Sequence, residues 1–381
     1  MKTIIKNNSL YFFFIFSQFL VVILGVQDDK IIGQNVNFTN AIIYHFVGLL
    51  FFSLGYLPIS KRRFINYNTI KKKNIILSKN YFIFSYLFII IGVITSVATI
   101  STIISPIEYL TMLFSGGSQL LDIRLESGAE GLGGIFKMMN YFPVGVFLVS
   151  SAFMNFYEIG NKDKKKLNQL IIFAILGCIV KVFFSLDRLT LLAILLVIFY
   201  QNFLNKKVKL KYIIYVGAFF ILLSFITASR MKDSGVLDFL VTYFKLSIAN
   251  YELVIERQSE FSYGFNTFLS PFWYIMKFFS FDYKVPEPEF WIWNPAQYFA
   301  SYLYIDFGIY SLLIFLILGF IVRRIQVKTL MGNLRYTSIY FITLFVLVTF
   351  ISVPIVRGIE FWLIIILAVF LSTKVKFNAT S

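Results

Sequence analysis

The chain has 381 residues, 58% of them hydrophobic and only 14% charged, with a mean hydropathy of +0.78. No water-soluble domain of this length has that balance, so the composition is that of a polytopic membrane protein. The single cysteine, Cys178, lies inside an apolar run and excludes disulfides as a source of stability.

Apolar runs long enough to cross about 30 Å of hydrocarbon fall near 9–26, 41–59, 81–104, 135–157, 169–186, 189–204, 212–229, 298–321, 336–353 and 358–373. They predict an all-α fold: one integral membrane helix bundle over residues 1–381 with about ten transmembrane spans. The first run has a basic start but no small-residue cleavage site before Gln27-Asp28-Asp29, so it is expected to remain as an anchor. The runs 189–204 and 358–373 are short for a full crossing. The basic loops Lys162–Lys166 and Lys206–Lys211 must nevertheless share a side, so the two runs between them cross together.

Charge sorts by side. The short loops holding Lys2 and Lys6, Lys61-Arg62-Arg63 with Lys71-Lys72-Lys73, Lys164-Lys165-Lys166, Lys206-Lys207, Arg323-Arg324, and Lys374 with Lys376 alternate with loops that hold nearly all the carboxylates. One side collects 23 of the 35 Lys and Arg with only Glu158 and Asp163, leaving 12 bases and 17 acids elsewhere. The overall +16 therefore resolves into about +21 on one side and about −5 on the other, the signature of a basic cytoplasmic face. Both termini are expected in the cytoplasm, and the basicity calls for no nucleic-acid partner.

The outer loops are unequal. Residues 27–40 and 354–357 are short, 105–134 is intermediate, and 230–297 is the longest. In that long loop Leu237, Leu240, Phe244, Ile248, Tyr251 and Ile255 recur at helical spacing opposite Asp238, Lys245, Glu252 and Glu256. This predicts an amphipathic helix at the membrane surface. The clusters Pro271-Phe272-Trp273-Tyr274 and Phe290-Trp291-Ile292-Trp293 are expected as interfacial anchors.

Five outer arginines, Arg124, Arg188, Arg230, Arg257 and Arg357, sit where the charge bias should deplete them. A guanidinium fork suits a phosphate or diphosphate, so they are the candidate diphosphate-binding residues. Local pairing is the alternative: Asp187 adjoins Arg188 in a tight turn, and Arg357 precedes Glu360 by three residues. Lys181 lies about a turn below the outer end of its span and is expected to be structural, snorkelling to the interface. Glu252 and Asp306 are the candidate catalytic carboxylates, as general base or, for Asp306, as counter-ion to an arginine.

The absences narrow the chemistry. The only histidine, His45, lies in the second span, so no outer-loop histidine can serve as a base or metal ligand. The acidic pairs Asp28-Asp29 and Glu287-Pro288-Glu289 are expected as solvated loop acids; neither a metal nor another cofactor is expected. The glycine-rich run Gly128–Gly134 lacks the spacing of a nucleotide loop and is expected to be a flexible loop.

With its spans, the tight turn Asp187-Arg188 before Leu189-Thr190-Leu191-Leu192, the late outer loop opening at Ser229-Arg230, and the segments Phe261-Ser262-Tyr263-Gly264 and Tyr304-Ile305-Asp306-Phe307-Gly308, the chain resembles the Wzy-type O-antigen polymerases. The resemblance implies polymerisation of undecaprenyl-diphosphate-linked oligosaccharide repeat units at the outer face of the bacterial inner membrane. The product would be O-antigen or capsule. It implies membrane lipids, a chain-length regulator and a flippase of the same pathway as partners, and no nucleotide or metal. Two alternatives stay open: an O-antigen ligase or other lipid-linked glycan transferase, and a lipid-linked oligosaccharide flippase. The ligase family relies on an outer-loop histidine that this chain lacks. Transporters place their charges near the bilayer midplane, whereas here they gather at the outer edge.

Overall fold

The computed structural model describes residues 8–26, 30–31, 34–35, 37–57, 72–115, 138–185, 187–205, 236–258, 260–279, 298–350 and 355–378. The chain is mainly helical, in the order α1 (Ser9–Gly25), β1 (Lys30–Ile31), β2 (Gln34–Asn35), α2 (Thr39–Tyr56), β3 (Asn74–Leu77), α3 (Lys79–Ser101), α4 (Pro106–Ser115), α5 (Phe142–Phe156), β4 (Glu158–Ile159), α6 (Asn161–Ser185) and α7 (Arg188–Asn205). After these come α8 (Val236–Arg257), α9 (Leu269–Phe278), α10 (Phe299–Phe307), α11 (Ser311–Leu330), α12 (Leu334–Thr349), α13 (Ile359–Ser372) and β5 (Val375–Phe377).

Four helical segments are long and apolar enough to cross a membrane: Thr39–Tyr56, Lys79–Ser101, Asn161–Ser185 and the continuous stretch Phe299–Leu330. Shorter apolar helices occupy Ser9–Gly25, Leu189–Gln201, Leu334–Thr349 and Ile359–Ser372. Every expected run except 212–229, which lies outside the described residues, coincides with a helix.

The fold is all-α as expected, with short strands forming the β1–β2 pair and a small sheet in the order β4-β3-β5. One detail differs from expectation: the run 298–321 is interrupted, because Gly308, with φ +54°, ends α10, and a 3-10 turn over Gly308–Tyr310 leads into α11.

The chain divides into two compact units. The first comprises residues 1–69, 237–328 and 343–361, and the second 70–236, 329–342 and 362–381.

The second unit shows the membrane pattern most clearly. On α3 the exposed face is Ile83, Leu87, Ile90 and Ile94, while the buried face carries Ser85, Gly92, Thr95, Ser96 and Thr99. Apolar side chains gain nothing by leaving lipid for protein, so small residues line the helix contacts and branched ones face the tails. Three of these hydroxyls are satisfied within the helix: Thr95 donates to Ile91 O (2.9 Å), Ser96 to Gly92 O (2.7 Å) and Thr99 to Thr95 O (2.7 Å). A Cβ at Gly92 would stand 2.3 Å from the Pro143 ring, and one at Gly177 of α6 would stand 3.1 Å from it. Glycines in α3 and α6 thus seat the start of α5, whose residues 142–153 are all buried.

The sheet of this unit joins three basic loops. β3 pairs with β4 in parallel (Asn74 opposite Glu158) and with β5 antiparallel (Ile75 opposite Phe377). Strands bonded edge to edge lie on one side of a membrane. The loops at Lys72-Lys73, Glu158–Lys166 and Lys374–Lys376 therefore share a side, as charge sorting expects.

In the first unit α2 crosses α11 at bare backbone. A Cβ on Gly55 would lie 2.0 Å from Leu316 O, and one on Gly319 would lie 2.2 Å from Phe52 O. Gly55→Ala is therefore expected to lower the thermal midpoint of the detergent-purified protein through overpacking of about 1–3 kcal/mol. Gly160→Ala is expected to leave it unchanged, since nothing lies within 4 Å of that position.

Candidate functional site

Helix α2 carries a charge partner at each end. At its start Glu252 of α8, only 2% exposed, accepts from Ala41 N (2.6 Å), Asn40 N (3.3 Å) and Asn40 Nδ2 (2.8 Å). At its end Arg323 donates to Tyr56 O at 2.7 Å. A carboxylate on free N–H groups and a guanidinium on a free carbonyl both complement the helix dipole. Glu252 was expected on the watery face of an amphipathic helix. The helix is present, but Ile248–Val254 are all buried, and Glu252 caps another helix instead of facing solvent.

Asp306, the last but one residue of α10, is also fully buried. Its Oδ1 accepts from Asn266 N (2.9 Å) and from the Ser262 hydroxyl, and its Oδ2 accepts from Thr267 N (2.6 Å). The Asn266 amide bonds Ser262 Oγ in turn at 2.7 Å. One carboxylate thus holds the turn between α8 and α9. A general base needs a free lone pair facing the acceptor hydroxyl. Each of the two carboxylates accepts three hydrogen bonds from amides and hydroxyls of the protein, so each anchors backbone whatever else it does.

Arg357 is placed differently. It ends the 3-10 turn Ile355–Arg357, and its guanidinium carbon lies 3.9 Å from the centre of the Tyr302 ring, one helical turn before Asp306. The side chain is half-buried and its Nε has no hydrogen-bond partner. Burial pulls its pKa below the ordinary value, with Tyr302 and the Asp306 charge opposing. The alternative, a local pair with Glu360, is not among the ion pairs of the described residues; the Glu360 carboxyl folds over Gly358. A stacked, partly dehydrated guanidinium with unused donor capacity is suited to an anionic oxygen.

The other arginines are less informative. Arg257 closes α8 at an exposed position. Arg188 begins α7, but its side chain lies outside the described residues, as do Arg124 and Arg230 altogether.

The second unit holds a buried ion pair that differs from the sequence expectation. Asp187 pairs with Lys181, whose ammonium also bonds Thr190 Oγ1 (3.0 Å) and lies 3.6 Å from the centre of the Tyr141 ring. Asp187 accepts further from Leu189 N (2.9 Å) and Thr190 Oγ1 (2.7 Å). Lys181 is thus structural as expected, but it turns inward and does not snorkel. Burial raises the Asp187 pKa, yet Lys181, Thr190 and the Leu189 amide outweigh it and hold it far below the usual carboxylate range.

His45 also escaped the sequence reading as a core residue. It is buried in α2 with its ring 5.2 Å from that of Tyr298, and its Nε2 has no hydrogen-bond partner. Tyr298 in turn donates to Gln18 Oε1 at 2.8 Å. Among the described residues no cluster of three or more His, Cys, Asp or Glu could hold a metal ion.

No family of known proteins, no curated protein and no solved structure matches this chain.

Two predictions follow the anchors. Glu252→Ala leaves two helix amides without acceptors, an expected loss of about 1–3 kcal/mol in the thermal midpoint of the purified protein. Glu252→Gln, which keeps one oxygen, should lose less. The folded Asp187 pKa lies below its unfolded value near 4, so its stabilisation is complete above that pH and is lost as pH falls toward the folded value. Acid titration of the thermal midpoint should therefore fall less steeply in Asp187→Asn than in wild type.

Proposed function

We propose that this chain is a ten-span polymerase of the bacterial inner membrane, with both termini in the cytoplasm. It would join undecaprenyl-diphosphate-linked oligosaccharide repeat units into O-antigen or capsular polysaccharide at the outer face. In this reaction the reducing-end sugar of a growing glycan is transferred to a hydroxyl of the next unit, and a lipid diphosphate leaves. The leaving group gathers negative charge, and preorganised cations at a poorly hydrated site stabilise it.

Arg357 is the observation that carries the reading. Its guanidinium is fixed by the Tyr302 ring, keeps hydrogen-bonding capacity, and sits at the end of the first unit opposite the basic Arg323 end of α2. Asp306 contributes as a counter-ion through space, its charge opposing the effect of burial on Arg357. The break at Gly308 is the feature a flippase reading would use. It lies about 22 Å along the helix from Arg323, in the part of the helix that carries Tyr302 and the Arg357 contact.

Arg357→Ala is expected to lower polymerisation on the order of 10²-fold with the protein at normal level in the membrane, and Arg357→Lys to restore it in part. Deleting the gene should leave surface glycan capped with one repeat unit, or single units on the outer-face lipid if the product is a capsule. A gel of surface polysaccharide with extraction of the lipid-linked pool reads both. Long lipid-linked polymer would instead indicate a ligase, and single units trapped on the cytoplasmic side a flippase.

A further inference from the structure

Among the described residues Tyr263 is the one non-glycine residue with a left-handed backbone, φ +49°, and Gly264 beside it has φ +97°. For a residue with a Cβ that conformation costs about 1–2 kcal/mol, so something in the fold must impose it. Asp306 does. Ser262 N bonds Ile305 O (3.2 Å), Tyr263 N bonds Asp306 O (3.0 Å), and the Asp306 carboxylate takes the Asn266 and Thr267 amides. The turn closes on itself through Phe265 N to Ser262 O (2.9 Å) and Phe268 N to Gly264 O (2.9 Å). From the inside it packs on apolar rings, with Phe272 and Phe307 within 3.5 Å of the Gly264 Cβ position.

The ring that this framework carries points the other way. Tyr263 is 73% exposed, and among the described residues its side chain makes no ring contact or hydrogen bond. A tyrosine that only anchors a bilayer needs no fixed backbone. Trp273 and Phe278, both exposed, stand on the ordinary helical backbone of α9. A pinned, outward aromatic with a hydroxyl at its edge matches a pyranose, which offers an apolar C–H face rimmed by hydroxyls. Asp306, which pins Tyr263, stands one helical turn after Tyr302, the ring on which the Arg357 guanidinium stacks.

We infer that Tyr263 is a carbohydrate-stacking residue that takes a sugar of the lipid-linked glycan whose diphosphate meets Arg357. This rests on the polymerase reading above. Tyr263 selects and positions the glycan and takes no part in bond making.

The test is titration calorimetry of the full-length protein in detergent with two probes, inorganic diphosphate and the oligosaccharide released by mild acid from the surface polysaccharide of the same cells. Wild type should bind both. Tyr263→Gly removes the ring and relieves the backbone, so it should keep or raise the thermal midpoint, bind oligosaccharide about ten-fold or more weakly, and bind diphosphate normally. Tyr263→Trp should retain oligosaccharide binding, and Arg357→Ala should lose diphosphate alone. Oligosaccharide binding unchanged in Tyr263→Gly would overturn the assignment and leave the Arg357 reading standing. Unchanged binding together with weaker partition into anionic phospholipid vesicles would make the ring a lipid anchor, which also overturns it. Wild type binding neither probe would remove the polymerase reading, and the sugar site with it.

Discussion

A helix inside hydrocarbon must bring its own partners for the amides and carbonyls at its ends, because no water reaches them. In the first unit α2 meets that demand with charged side chains borrowed from far along the sequence: Glu252 at its first turn and Arg323 at its last. This one requirement fixes much else. It sets how α8 approaches α2, and with the bare crossing at Gly55 and Gly319 it sets how α11 does. It also places an acid at one end of the unit and a base at the other, so the sorting of charge by side and the capping of the helix are the same arrangement.

Asp306 extends the logic to the irregular backbone. A turn with two left-handed residues offers amides that no helix can accept, and a buried carboxylate collects them. Two of the most deeply placed acids are thereby committed to holding backbone. The cation nearby is not, since Arg357 leans on an aromatic face and keeps donors unused. Anchored acids with an available base form a surface biased toward anions although carboxylates are close at hand.

Much of the helical layout was legible because it depends on composition and alternation alone. Apolar runs place the helices to within a few residues, and the shared side of the loops at Lys73, Glu158 and Lys374 follows from charge. The site was less legible because periodicity tells which residues share a face and not what covers that face. Glu252 fell on the polar stripe of its helix, but its own place on that stripe meets the start of α2. Lys181 and Asp187 are six residues apart across a turn, a separation that no helical pairing rule picks out. Arg357 and Glu360 had helical spacing for a pair, yet Arg357 belongs to a 3-10 turn and Glu360 to the helix after it, so the helical rule does not apply between them.

The small sheet carries a further meaning for how the molecule is put together. β3 belongs to a segment near residue 75, and its longer partner, β5, follows α13 some three hundred residues later. Until the helices between them are inserted in the right number, β5 emerges on the wrong side of the bilayer or not at all, and β3 keeps an open edge. Strand pairing at this point works as a parity check on membrane insertion. A chain that has missed one crossing could not close the sheet, and its unpaired edge would be a template for pairing with another chain.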